Sequence, residues 1–124
     1  MKFVETKNAP AAVGPYSQGV EANGTLYVSG QIPFVPETMT LVGETIQEQT
    51  KQSLKNIKAI VEEAGYKVEN IVKCQVFLKD MNEFTYMNKV YEDFFEGHKP
   101  ARCAVEVSRL PKDVRVEIDA ICVK

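Results

Sequence analysis

From Ile46 onward, Ile46, Thr50, Leu54, Ile57, Val61 and Ala64 recur at three- and four-residue spacing, which predicts one long amphipathic helix. Thr45 with Glu48 forms a capping box at its start, and Gly65 supplies the stop. A second helix follows the same grammar. Asp80 with Glu83 repeats the capping pattern, and Phe84, Met87, Tyr91, Phe94 and Phe95 make an apolar stripe, read as core, that ends at Gly97. Elsewhere the period is two. Ile71 to Leu78 sets Val72, Cys74, Val76 and Leu78 against Lys73 and Gln75; Arg102 to Val107 sets Cys103, Val105 and Val107 against Arg102, Ala104 and Glu106. Val114 to Cys122 sets Val116, Ile118 and Ala120 against Arg115, Glu117 and Asp119, with Leu110 to Asp113 as the turn before it. Near the start, residues 1–6 read as a short strand and Asn8 to Pro15 as loop. Asn23-Gly24 then joins Gly19–Ala22 to Thr25–Ser29 as a hairpin, because both turn residues tolerate positive φ. A loop with Pro33 and Pro36 precedes the first helix. The order is β-β-β-α-β-α-β-β: an α+β fold, one domain over residues 1–124, with two helices on one face of a mixed six-stranded sheet.

Composition narrows the function. The chain has 124 residues and a formal charge of −2, a balance that offers no general field for phosphate backbones or anionic lipid, so neither nucleic acid nor membrane is an expected partner. Cys74, Cys103 and Cys122 are widely spaced, no CxxC pair exists, and His98 is the single histidine, so zinc and a disulfide framework both lack their ligands. With no apolar leader at the N-terminus, the expectation is a cytoplasmic, metal-free protein. A chain this short leaves much of its surface open, which favours an oligomer.

The helices can cover only one sheet face, and the other is expected to carry Arg102, Glu106, Arg115, Glu117 and Asp119. Two readings stand side by side. Such charges on exposed strands often mark only a wet face. Alternatively, Arg102 receives a substrate carboxylate through its planar fork while Glu117 handles water or a proton. Spacing constrains the second reading. In a tight hairpin about Leu110 to Asp113, Glu117 falls opposite Glu106, and Arg102 lies ~13 Å further along its strand. A site using both needs the strands separated in the sheet, or the two residues supplied by different chains. Ser-His-Asp catalysis is disfavoured, His98 reads as a helix-terminal surface residue, and no phosphate loop is present.

Gly14-Pro15-Tyr16-Ser17-Gln18, Tyr27-Val28-Ser29-Gly30-Gln31-Ile32-Pro33, Asn56-Ile57-Lys58-Ala59-Ile60, and above all Pro100-Ala101-Arg102 with Leu110-Pro111-Lys112 and Val116-Glu117-Ile118 resemble the RidA (YjgF) family. The likeness runs nearly end to end. It implies a chorismate-mutase-like fold assembled as a homotrimer with three clefts between subunits. It also implies hydrolysis of reactive enamines and imines, such as 2-aminoacrylate released by pyridoxal-phosphate enzymes, to 2-keto acids and ammonia. The family uses no cofactor of its own. Carried onto this chain, Arg102 pairs with the substrate carboxylate and Glu117 positions or activates water. Tyr16 and Asn88 line the cleft, Ser29 and Gly30 give polar contacts, and Ala104 acts through its backbone. Two positions depart from the family pattern. Ala104 stands where many relatives have Cys, here shifted to Cys103, and Met39 stands where relatives often have Gly, which bears on that turn and not on the chemistry.

Other functions make different demands. A non-catalytic module for small carboxylates has no use for the second carboxylate of Glu117, which would repel the ligand. A ribonuclease or translation inhibitor needs a basic, aromatic-laced surface, and this chain is acidic and lacks Trp. A holdase needs exposed apolar surface.

Overall fold

Thr45 opens the first helix by accepting from the Glu48 amide at 3.1 Å, while the Glu48 carboxylate accepts from the Thr45 amide at 3.2 Å. These bonds hold the Glu48 carboxyl below its ordinary range, the backbone bond at Thr45 contributing most. In the computed structural model, which describes residues 1–124, helix α1 runs Ile46–Glu63 and is followed by Gly65 at φ +83°. The hairpin turn also forms as its sequence requires, with Asn23 at φ 52° and Gly24 at φ 77°.

The main sheet contains β1 (Lys2–Val4), β2 (Gly19–Ala22), β3 (Thr25–Gln31), β6 (Ile71–Leu78), β7 (Ala101–Glu106) and β8 (Val116–Val123), in the order β1-β2-β3-β8-β6-β7. Two short strands, β4 (Phe34–Val35) and β5 (Thr40–Leu41), pair within the loop containing Pro36, an element the alternation does not announce. There Met39 occupies the left-handed region at φ 55°, the conformation that glycine adopts without penalty. Helix α2 (Phe84–Phe95) crosses from β6 to β7, which pair in parallel, and all other main-sheet pairs are antiparallel. The sheet is mixed for that reason.

The expected tight hairpin between the last two strands does not exist. β8 returns on the far side of β6, so β6 separates β7 from β8. Pro111–Asp113 form a short 3-10 turn, but it lies near the end of a longer connection between Glu106 and Val116, with Lys112 and Asp113 both left-handed at φ 56° and 55°. The Asp80 cap is likewise partial. Asp80 accepts from Asn82 N at 2.9 Å, and a 3-10 turn, Met81–Glu83, precedes α2. Glu83 is drawn instead to Arg115, 3.1 Å away, and closes no capping box.

Both helices lie on one face. Leu54, Ile57, Ile60 and Val61 of α1 and Met87, Tyr91 and Phe95 of α2 pack over Leu26, Val28, Cys74, Val76, Leu78, Val116, Ile118, Ala120 and Cys122. Burial pushes the Cys74 thiol up to about 11 and the Cys122 thiol up to about 12, so neither supplies a thiolate near neutrality. Buried amides tie the loops to this core. Gln18 Nε2 donates to the carbonyls of Thr6, Ala9 and Pro10, and Asn56 Nδ2 to those of Ile32 and Phe34. No helix is long and apolar enough to cross a membrane.

Candidate active site

Strand β7 is turned over relative to the usual arrangement. Arg102, Ala104 and Glu106 pair with Cys74, Val76 and Leu78, whose side chains enter the core, so they face the helices. Cys103 is exposed and Val105 is 38% exposed on the opposite, open face. In β8 the alternation runs the ordinary way: Val116 and Ile118 are buried, and Glu117 and Asp119 lie on the open face. The shared charged face expected for Arg102, Glu106, Arg115, Glu117 and Asp119 is therefore split. Arg102 and Glu106 are on the helix side, Glu117 and Asp119 on the other, and Arg115, just before β8, bonds the Glu44 carbonyl at 2.6 Å and the Glu83 carboxylate. Alternation orders residues within a strand, but which face meets the helices is decided by packing.

Arg102 lies at the start of an edge strand and is aimed by α2. Its Nη1 donates to Asn88 Oδ1 at 2.7 Å, and its guanidinium carbon lies 5.4 Å from the centre of the Phe84 ring and 4.9 Å from that of Tyr91. Nε and Nη2 have no protein acceptor. That side of the guanidinium is thus free to grip a carboxylate with two parallel hydrogen bonds. Beside it, Asn88, Tyr91, His98, Lys99 and Arg102 help line an open groove of about 720 Å³. His98 bonds the Ile71 carbonyl at 2.7 Å and packs on Phe95, so it staples the segment between α2 and β7 to β6, a more anchored position than a surface helix end.

Glu117 is aimed differently. A Cβ built on Gly30 would meet the Glu117 carboxylate, with Cδ only 3.0 Å away, so the carboxylate lies directly over the Gly30 backbone. The bulge between Val28 and Gln31 puts Gly30 there, and glycine is the residue that leaves the space. Burial, and secondarily the charge of Asp119, raises the Glu117 carboxyl above its ordinary value, bringing its proton affinity nearer neutrality. Asp119 is also raised by burial, against the opposing effect of its bond from the Gln75 amide at 3.0 Å. Ser29 ties this end to the loop before β2: its hydroxyl donates to the Ser17 carbonyl at 2.6 Å, and its amide to the Gln18 carbonyl at 2.9 Å. Tyr16, beside Ser17, is 54% exposed. It lines a second concavity, about 880 Å³, that includes Phe3 and Met39 but neither Arg102 nor Glu117.

Two clusters result. Asn88, Arg102 and Ala104 share one side of the sheet, and Ser29, Gly30 and Glu117, with Tyr16 nearby in the chain, gather at the β3–β8 end. Within one chain they do not converge: Arg102 is level with Cys74 and Glu117 with Phe77, on strands two spacings, about 10 Å, apart and on opposite faces. Phe84 and Tyr91 were legible only as core stripe. The usable signal was Asn88, a polar residue set between them at helical spacing on the same face of α2. No three His, Cys, Asp or Glu side chains come together as a metal-holding group.

A mixed six-stranded sheet under two helices, with an arginine on the edge strand β7 and a glutamate on the interior strand β8, defines a small α+β protein. The chain belongs to the RidA/YjgF family, described as Endoribonuclease L-PSP, which it matches over residues 6–124. It is 55% identical over 123 residues to a RutC family protein of Pyrococcus horikoshii, covering 99% of this chain and 98% of that one. It is 54% identical over 126 residues to the 2-iminobutanoate/2-iminopropanoate deaminase of Salmonella typhimurium, covering 99% and 98%. Among solved structures, Escherichia coli TdcF with bound serine superposes with a TM-score of 0.96 at 46% identity, covering 100% of this chain and 99% of that one.

Proposed function

We propose that this protein hydrolyses small anionic imines and enamines, of the 2-iminopropanoate and 2-aminoacrylate class, to 2-keto acids and ammonia. The observation that carries the reading is Arg102, held on one side by Asn88 and two aromatic rings with its Nε and Nη2 edge unspent. That edge fits the carboxylate bonded directly to the reacting carbon. Relatives about half identical that are named 2-iminobutanoate/2-iminopropanoate deaminase support it.

Because Arg102 and Glu117 face away from each other in one chain, the complete site in this reading lies between copies, Arg102 from one and Glu117 from the next, in a homotrimer with three clefts. The open sheet face, with Phe3 67%, Tyr27 51% and Val105 38% exposed, supports an interface there. In the cleft, Glu117 takes a proton from water as the oxygen bonds to the imine carbon. The C=N electron pair moves to nitrogen, which takes that proton from Glu117, giving a carbinolamine. Glu117 then accepts the proton of the carbinolamine hydroxyl and passes it to the nitrogen, and the C–N bond breaks as C=O forms, so that ammonia leaves. A carboxyl raised toward neutrality suits both halves of the cycle. An enamine enters after protonation at its terminal carbon. Removing such electrophiles would protect pyridoxal-phosphate enzymes, whose elimination reactions on serine and threonine release them. Tyr16, Ser29, Gly30 and Ala104 complete the walls of the proposed cleft.

The test couples a threonine dehydratase to semicarbazide trapping. Wild type should deplete the trapped imine and speed keto-acid formation, Arg102→Ala and Glu117→Ala should do neither, and sedimentation equilibrium should give three chains per particle. Inert wild type that still binds 2-oxobutanoate would favour a carboxylate-binding module, a reading consistent with the serine held by TdcF.

A further inference from the structure

Tyr91 contributes a buried ring and a hydroxyl with no use assigned to it. The residue is 7% exposed, and its buried hydroxyl has no oxygen or nitrogen partner; the Cys74 thiol, a weak hydrogen-bonding group, is the polar group beside it. The ring, by contrast, is fully engaged. One edge meets Phe95 at a centroid distance of 4.8 Å, and the guanidinium of Arg102 lies 4.9 Å from the ring centre. Phe84, about two turns earlier on the same face of α2, offers a second ring at 5.4 Å. Arg102 is otherwise a long side chain on an exposed edge strand with a single hydrogen bond, to Asn88. Left to itself it would sample many rotamers, and each would have to be surrendered when a carboxylate binds.

We propose that Tyr91 and Phe84 are positioning residues that hold Arg102 against α2 and present its Nε and Nη2 edge to the ligand, Tyr91 acting through its ring and not its hydroxyl. This rests on Arg102 being the carboxylate anchor. The rings attract the cation through their faces, and they exclude water from one side of it, which strengthens the bonds made on the other. Because the buried hydroxyl has only the weakly bonding Cys74 thiol beside it, its removal costs little. Tyr91→Phe therefore keeps the device intact, whereas Tyr91→Leu keeps bulk but loses the aromatic face.

The experiment measures 2-oxobutanoate binding by calorimetry, and imine hydrolysis in the dehydratase-coupled assay, for wild type, Tyr91→Phe, Tyr91→Leu, Phe84→Leu and Arg102→Ala. Tyr91→Leu should weaken binding about tenfold, equivalent to ~1.4 kcal/mol, with Tyr91→Phe within twofold of wild type and Arg102→Ala without measurable binding. The ring-current upfield shift of the Arg102 Cδ protons should persist in Tyr91→Phe and shrink in Tyr91→Leu. If Tyr91→Leu is unfolded by circular dichroism, Phe84→Leu, altering a partly buried side chain, carries the test with an expected threefold loss. Wild-type affinity in the folded leucine variants, or equal weakening by Tyr91→Phe and Tyr91→Leu, overturns the proposal. A wild type that binds the keto acid in this pattern but leaves imines untouched upholds the aromatic shelf while removing the deaminase reading.

Discussion

Arg102 sits on the edge strand β7, exposed, and is aimed by side chains of a neighbouring helix; Glu117 sits on the interior strand β8, half-buried, and is aimed by backbone. The cation needs no burial to remain charged, so it can stand at an edge and be steadied by rings and an amide. The carboxylate needs a partly dry setting if it is to exchange a proton near neutrality, and an interior strand beside a bulge supplies one. The two settings suit the two different tasks proposed for these residues.

Substitutions at each end should separate these tasks. The largest expected effect is Arg102→Ala, a fall in kcat/KM of about 10³-fold through loss of a charge-assisted, two-pronged contact. Thermal stability should stay near wild type because the side chain is exposed; a matching collapse of Tm would mean that Arg102 is structural. Gly30→Ala should cost about 10²-fold in activity, since the new methyl must displace the Glu117 carboxylate from its place over the backbone. Restored activity in the double variant Gly30→Ala, Glu117→Asp would confirm that crowding is the cause, and an undiminished single variant would refute it.

A control lies outside both ends. Met39→Gly should stabilise the fold by about 0.5 kcal/mol, because glycine relieves the left-handed strain at φ 55° and gives part of the gain back as unfolded-chain entropy. Urea titration checks it, with activity unchanged. The smallest effect is Glu117→Gln on stability. The folded chain holds the Glu117 carboxyl above its ordinary value of 4.5, so the ionised form is penalised on folding. That penalty is absent well below 4.5, enters as pH rises through the unfolded and then the raised folded value, and is complete above both. Tm of Glu117→Gln should therefore exceed wild type at pH 8 and equal it at pH 3, and the reverse ordering would show that Glu117 is stabilised by its surroundings.

The short-range features were legible because short-range forces make them. The Thr45–Glu48 box, the Asn23-Gly24 turn, the Gly65 stop and the alternation of β8 and of β6 from Lys73 onward each depend on residues a few positions apart. Val72, expected on the face of Cys74, is instead 44% exposed and Ile71 is buried in its stead, because the register shifts between Ile71 and Lys73. The family resemblance likewise pointed to Arg102, Asn88, Gly30 and Glu117 as candidate site residues. What tertiary structure alone decided was adjacency and facing. Alternation tells which residues of a strand point the same way, but it cannot say that β8 inserts between β3 and β6, or that β7 turns Arg102 and Ala104 inward and leaves Cys103 and Val105 outside. Those outcomes follow from α2, whose crossover brings β7 in parallel to β6 and whose Phe84, Asn88 and Tyr91 then receive the arginine. Strand pairing is chosen by the sum of many weak contacts between distant residues, and no local stretch of sequence contains that sum.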